Sequence, residues 1–424
     1  MSRVLFVTQT HNVWGGMEQW VHHFSFWLKT RGWDVDAALP LGRNYNDPDA
    51  YLRAHPHLHP IILDVRDGTE RTRVESLARA IARTRPDVVI PIASGAIFAA
   101  MARARVDGAK ARLLVPIRSL HPDLFCNVAE HRGVVDQVVA VSRLIEAMIR
   151  ELLPQDGDRI AYVRHGVRPA RHERKAPGPV LRVGFVGRLE ESTKRISDLA
   201  AVTAGLSLRR VPAEVHVYGS GPDEHLLRAV PAVLHGKVDQ DELYDRIYPE
   251  LDVLLLLSPA EGSPNAVYEG MQHGVVPVVS RFAGQRLEAI VRDGETGLVF
   301  PIGEIDSAVS AIETLASDRQ TWSRLSASAR AEVAMDTDIR MHSDWERILE
   351  ATLARPAKEA PPVVPPVPLG GRLDRLLPPA LSARVRRLLG REFIHSDGWG
   401  EWPGTAPASS RCVEHVLTRL RELD

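Results

Sequence analysis

Short apolar runs recur along this chain, and most of them lead into an amphipathic stretch. Residues 4–7 (VLFV) read as a buried strand, and NVWGGMEQ as the loop behind it. EQWVHHFSFWLKTRG then sets Trp20, Val21, Phe24, Trp27 and Leu28 on one helical face, with Gly32 just past its end. DVDAALP predicts a second strand, and PDVVIPIAS and ARLLVPI predict two more, bounded by helical segments. VDQVVAVS adds another before the helix RLIEAMIREL. After the polar stretch HGVRPARHERKAPGP the pattern restarts. VLRVGFVGRL, AEVHVYGSG, DVLLLLSP and VVPVVS read as strands, and PNAVYEGMQH as a helix. Strands that alternate with helices imply parallel strands joined by crossovers. The pattern therefore predicts two successive α/β units, residues 1–172 and 173–336, with the hinge between residues 168 and 179. DTDIRMHSDWERILEATLAR predicts a closing helix over 337–355. Residues 357–424 hold a proline-rich, extended linker and a tail, basic at first and then rich in glycine, tryptophan and proline.

Composition narrows the function. The 424 residues are enough for two domains and extra segments. Lysine plus arginine (53) nearly equals aspartate plus glutamate (54), which argues against nucleic acid as the main partner. The two cysteines, Cys126 and Cys412, are far apart in sequence and form no disulfide framework, so a reducing compartment is the expectation. The first apolar run is too short for the core of a signal peptide, and no run approaches the length of a membrane span. The expected location is cytoplasmic, with any membrane contact peripheral. No tight His, Cys, Asp and Glu cluster has metal-ligand spacing, so neither a metal nor a cofactor is expected.

The most informative stretch is SPAEGSPNAVYEGMQHGVVPVVS. Glu261 and Glu269 stand with seven residues between them, just after the apolar run 253–257. Ser263 is a favoured N-cap, Pro264 suits the first helical position, and Gly274 suits the helix end. The helix thus starts where a parallel sheet binds ligands, beyond the carboxyl end of a strand. Its free amide donors favour phosphate. Two carboxylates repel phosphate but accept hydrogen bonds from diols. A ligand with phosphate in its middle and hydroxyls at both ends uses all of these features, and a nucleotide sugar is such a ligand. Arg188 and Lys194, which follow the first strand of the second unit, supply countercharge. Each pair alone also fits an ordinary surface; the order of the features at these strand ends is what carries the reading.

With these residues in view, the chain resembles the retaining glycosyltransferases of family 4, over about residues 1–350. The resemblance rests on GGMEQ, on GRL followed by Lys194, on VYGSGPDEHLL, on LDVLLLLSPAEGSPNAVYEGMQHGVVPVVS and on GETGLVF. It implies an α/β GT-B fold, two Rossmann-like α/β/α domains facing across a cleft, with the first domain for acceptor and the second for donor. It implies that Gly15 and Gly16 let the first loop approach donor phosphate or acceptor, though the dipeptide equally fits a tight turn. Arg188 and Lys194 would neutralise the diphosphate. Ser263, Pro264, Asn265, Ala266 and Val267 would bring backbone amides to the sugar and outer phosphate, Glu269 would hold the ribose, and Glu261 the transferred sugar. Lys237 and Val238 fall where backbone contacts read the base. His121 matches a histidine near the transferred sugar, although HPD is also a turn. The segment LFCNVAEHRGVVDQ departs from the family pattern, as does Ala283-Gly284, where a glycine pair is commoner.

The expected function is sugar transfer from a nucleotide-sugar donor with retention at the anomeric carbon, the acceptor unspecified. Two rivals share the architecture: a nucleotide-sugar 2-epimerase and a non-catalytic partner subunit. In the tail, a helix over 381–391 would group Leu381, Val385, Leu388 and Leu389 among arginines. It fits packing on the first domain as well as a peripheral contact with anionic lipid.

Overall fold

The computed structural model describes residues 2–10, 16–42, 47–92, 95–171, 174–359, 376–391 and 409–423. Two all-parallel sheets form the frame. The first has the order β3-β2-β1-β4-β5-β6-β7, from β1 (Arg3–Val7), β2 (Asp34–Leu41), β3 (His59–Asp64), β4 (Val88–Pro91), β5 (Arg112–Ile117), β6 (Gln137–Ala140) and β7 (Ile160–Tyr162). The second has the order β10-β9-β8-β11-β12-β13, from β8 (Leu181–Val186), β9 (Ala213–Tyr218), β10 (Ala232–Gly236), β11 (Val253–Leu256), β12 (Val276–Ser280) and β13 (Leu298–Phe300). Central strands such as β4, β6, β11 and β12 are buried throughout, which is why they are continuous apolar runs. The strands that the hydrophobic pattern did not predict, β3, β7, β10 and β13, are the sheet edges. β3 and β10 leave several residues exposed, and β7 and β13 are three residues long. An edge strand buries too little to carry a clear pattern.

In each sheet the strand order reverses beside the first strand, between β1 and β4 and between β8 and β11. A crevice opens at the carboxyl ends of the strands at such a point. The chain passes between the sheets twice, and the two passages touch: Val167 N donates to the Asp336 carbonyl (2.8 Å), and Asp338 N donates to the Val167 carbonyl (3.1 Å). After the second passage the helix Asp338–Ala354 returns to the first core. Thr337 caps it, and its Trp345 sits 4.7 Å from Trp20, ring centre to ring centre. Glu346 accepts from the indole N–H groups of Trp27 (3.0 Å) and Trp33 (3.1 Å), so the partly buried carboxylate is satisfied by two donors.

The tail also lies on the first domain. The helix Pro379–Leu388 buries Ser382, Ala383 and Arg386, and Arg387 pairs with Asp64 at the end of β3 (3.7 Å). The helix thus packs through Ser382, Ala383 and Arg386, and Leu381, Leu388 and Leu389 are exposed. The helix Ser410–Leu423 docks on the first-domain helices Pro122–Glu130 and Arg143–Leu152. Val416 is fully buried there, and Arg419 meets both oxygens of Glu151. This docking joins the two cysteines that the sequence leaves apart: Cys126 and Cys412 form a disulfide, with Cα atoms 5.8 Å apart. Sequence separation gave no sign of the pair, because folding alone brings positions 286 residues apart together.

Cys412→Ser is expected to lower the unfolding free energy by about 2–4 kcal/mol under oxidising conditions, since the bond restricts the unfolded chain. Urea melts with and without reductant check this: the difference from the unsubstituted chain should disappear when both are reduced.

Candidate active site

The crevice is built by helix starts. The helix Gly16–Thr30 follows β1, and the helix Asn265–Gln272 follows β11. Their first residues face one another, so that a Cβ at Gly16 would lie 3.4 Å from Asn265 Nδ2. The second helix starts one residue later than its sequence suggests. Pro264 is the cap position, Asn265 is the first helical residue, and Ser263 Oγ is buried without a hydrogen-bond partner instead of capping. Its end is as expected: Gly274 has φ +71°, and Val275 N donates back to the Gly270 carbonyl (2.9 Å). The loop before this helix reaches the first domain. Gly262 packs on the Arg118 carbonyl so closely that any side chain there would collide with it. Glu288 closes the same gap from another side, accepting from Arg143 N (2.9 Å), Tyr162 Oη (2.5 Å) and Tyr268 Oη (3.1 Å).

Glu269 lies inside the helix, 7% exposed. The Tyr248 hydroxyl donates to one of its oxygens (2.6 Å) and Gln240 Nε2 to the other (3.1 Å). Burial nevertheless pushes its pKa up to about 7, with both hydrogen bonds and Arg168 pulling the other way. Glu261 is engaged differently: Lys194 Nζ meets its Oε1 at 2.5 Å, and both side chains are mostly buried.

Gly16, Asn265 and Glu269 therefore border one cavity, which is also lined by Trp20, Arg118 and His165. Lys194 and Glu261 form their ion pair beside Gly262. Ala266 is half-buried, and Val267 is a core residue of the helix. Arg188 is exposed and leans toward Glu190 (3.5 Å). Lys237 is exposed and Val238 half-buried; the same segment reaches the cavity at Gln240. His121 caps the helix Pro122–Glu130 with its side chain exposed, near Asp123 (3.6 Å). Gly15 lies outside the described residues. The sequence reading did not single out Arg118, His165 or Gln240. Arg118 directly follows β5, so the rule that led to Glu261, ligands beyond strand ends, would also have led to it. Among the described residues, no group of three His, Cys, Asp or Glu side chains is placed to hold a metal ion, and no helix is long and apolar enough to cross a membrane.

Comparison with known proteins bears on the fold and the family. Residues 181–318 match the family model described as glycosyl transferases group 1. Over 160 residues the chain is 31% identical to sulfoquinovosyl transferase SQD2 of Arabidopsis thaliana, a match covering 36% of this chain and 29% of that relative. The chain thus spans under a third of the length of the curated relative that it matches. The sucrose-phosphate synthase of Thermosynechococcus elongatus has a similar structure: TM-score 0.68, 18% identity, 84% of this chain and 100% of that one. So does Alr3699/HepE of Anabaena, in complex with UDP and glucose: TM-score 0.66, 14% identity, 83% and 100% covered. The fold is GT-B, and the resemblance to group 1 glycosyltransferases stands.

The raised pKa of Glu269 makes a test. Between its ordinary value of 4.5 and about 7, the folded state holds this proton and the unfolded state does not. Its contribution is therefore most favourable below pH 4.5, falls as pH rises through this window and is constant above it. Glu269→Gln is expected to leave stability at pH 4.5 unchanged and to raise it at pH 8 by about 3 kcal/mol. Paired urea melts at the two pH values check the difference.

Proposed function

We propose that this chain is a glycosyltransferase that moves a sugar from a nucleotide-diphosphate donor to an acceptor, with retention of anomeric configuration and without a metal ion. The observation that carries the proposal is the cavity itself: two helix starts face one another across a closed cleft, and a buried carboxylate sits one turn inside one of them. The positive ends of both helices suit the diphosphate, although Asn265 N and Val267 N donate at present to the Ser263 (2.9 Å) and Pro264 (2.8 Å) carbonyls. Glu269 suits the ribose hydroxyls, which can donate to it as Tyr248 and Gln240 now do. In this reading Glu261 positions the transferred sugar, and Lys194 shifts from Glu261 toward the phosphate oxygens as negative charge grows on the leaving group. Arg188, free to swing in from the surface, assists it. The departing phosphate oxygen takes the acceptor proton on the same face, so the route needs no strong protein base. His121 and the backbone at Lys237 and Val238 would reach the donor's sugar and base at the rims.

The donor panel begins with UDP-sugars, because Alr3699/HepE is described with UDP and glucose, and includes UDP-sulfoquinovose, because of the relative's name. Transfer to an acceptor or slow donor hydrolysis supports the proposal. Epimer formation from donor alone would favour the 2-epimerase reading, and no turnover with any donor would favour a partner subunit. Activity is expected to survive EDTA. Lys194→Ala should lower turnover by about a hundredfold or more, with Arg188→Ala lowering it too, since the charge they meet appears as the bond breaks. Loss of activity in EDTA that magnesium or manganese restores would show that a metal carries this charge.

The proposed location is the cytoplasm, in part at the inner membrane face; there the Cys126–Cys412 pair, which the sequence offered no reason to join, would be held reduced. The outward Leu381, Leu388 and Leu389 stand beside exposed Arg384 and Arg391, which suits a surface of anionic lipid. The full chain is expected to bind vesicles containing phosphatidylglycerol at low salt and to release them at high salt. Replacing Leu388 and Leu389 by aspartate should abolish binding; sedimentation measures both.

A further inference from the structure

The cavity contains a cation that the proposed roles do not use. Arg118 extends from the end of β5 into the cleft and lines the cavity opposite Asn265 and Glu269. Its guanidinium lies over the indole of Trp20, 4.6 Å from the ring centre. Its Nη1 is sealed from solvent and has no hydrogen-bond partner, and the same holds for Nε1 of Trp20, a residue only 4% exposed. No carboxylate of a described residue lies within ion-pair distance of Arg118; Glu18 attracts it from farther away. Two orphaned donors stacked on each other and lining one cavity call for an oxygen-bearing ligand, because an unpaired buried donor, and more so a buried charge, is costly.

The neighbouring basic groups do not compete for this role. Arg168 also lines the cavity, but it is held by Asp241 (2.7 Å) and lies over Tyr244 (4.3 Å). Burial, together with Arg118 itself, pushes the His165 pKa down to about 3, and burial pushes that of His342 down to about 4, so both are neutral at pH 7. Burial draws Arg118 down only to about 10, which leaves it charged. Lys194 is neutralised by Glu261, and Arg188 is at the surface.

We infer that Arg118, with the Trp20 indole N–H, binds the outer phosphate of the nucleoside diphosphate from the first-domain side of the cleft. The inference rests on the donor reading above and extends it. In this assignment the ribose lies at Glu269, the inner phosphate, not the outer one that the family resemblance places there, lies at the Asn265 helix start, and the outer phosphate reaches across the cleft to Arg118. Arg118 belongs to the first domain, and its own carbonyl packs against Gly262 of the second. The donor would thus be gripped fully only when the domains are together, and the charge that builds on the leaving phosphate would meet a fixed guanidinium.

The test is calorimetric titration of the full chain with UDP, GDP and ADP, and with the matching nucleoside monophosphate. Arg118→Met keeps the stem over Trp20 and removes the charge; Arg118→Lys keeps a charge. Arg118→Met is expected to weaken diphosphate binding by about thirtyfold, Arg118→Lys by less than about fivefold, and monophosphate binding should change little in either. A single cooperative thermal transition at or above that of the unsubstituted protein shows that both variants are folded. Unsubstituted protein that binds none of the three diphosphates would overturn the donor reading and the assignment with it. If it does bind, equal affinity in Arg118→Met overturns the assignment alone, as does an equal loss for mono- and diphosphate. A change confined to the KM for acceptor would also overturn it, by assigning Arg118 to an acceptor anion.

Discussion

Positive ends of two helices and a guanidinium converge on one crevice, and the rest of the structure depends on how that arrangement is tolerated. Each helix start carries a partial positive charge, and at the second one Asn265 N and Val267 N turn back onto the Ser263 and Pro264 carbonyls. Placing two such starts within contact distance across a domain boundary is unfavourable until something negative lies between them. Arg118 sharpens the imbalance, because its outer nitrogen is sealed in with no acceptor. The energy that holds this crevice together must come from elsewhere, and the packing shows where. Trp345 of the return helix closes on Trp20, directly behind the crevice, and Glu346 ties two further indoles to the same helix. The first core thus includes a segment that the chain supplies only after completing the second domain.

That route couples the two halves. The two crossing segments bond to one another at Val167, Asp336 and Asp338, so they behave as one double strap. Glu288 and Gly262 then set how near the domains come: the carboxylate collects three donors from both sides, and the glycine permits a backbone contact that no side chain would allow. Both contacts are small and polar, of the kind that can open and reform, whereas the cores behind them are apolar and continuous. Rigid halves joined by breakable contacts suit a cleft that must admit a ligand and then exclude water.

Glu269 shows the same trade between stability and readiness. Its carboxylate is buried, and its two hydrogen bonds hold it in place without fully offsetting the loss of water. The hydrogen bonds that orient it pull its pKa down, burial pushes it up, and burial wins. Lys194 and Glu261 avoid this cost by pairing with one another.

Much of this architecture was legible in the sequence. Strands buried on both faces must be apolar throughout, and helices packed on them must be apolar along one stripe, so β1, β2, β4–β6, β8, β9, β11 and β12 and the Gly16 and Asn265 helices follow from periodicity. The spacing of Glu261 and Glu269 around a helix start was legible for the same reason: both lie within one local unit of strand, loop and helix. Other features were decided by contacts between distant parts of the chain. The edge strands bury too little to leave a pattern. Ser263 does not cap, and its neighbour Gly262 packs across the cleft on Arg118, a contact that the local sequence does not record. The union of Cys126 with Cys412, the outward leucines of the tail helix and the isolation of Arg118 depend on which surfaces meet. Periodicity records only whether a residue faces inward. It carries no record of which distant residue it will face there, and the unpaired charge in the cleft is a property of that second kind.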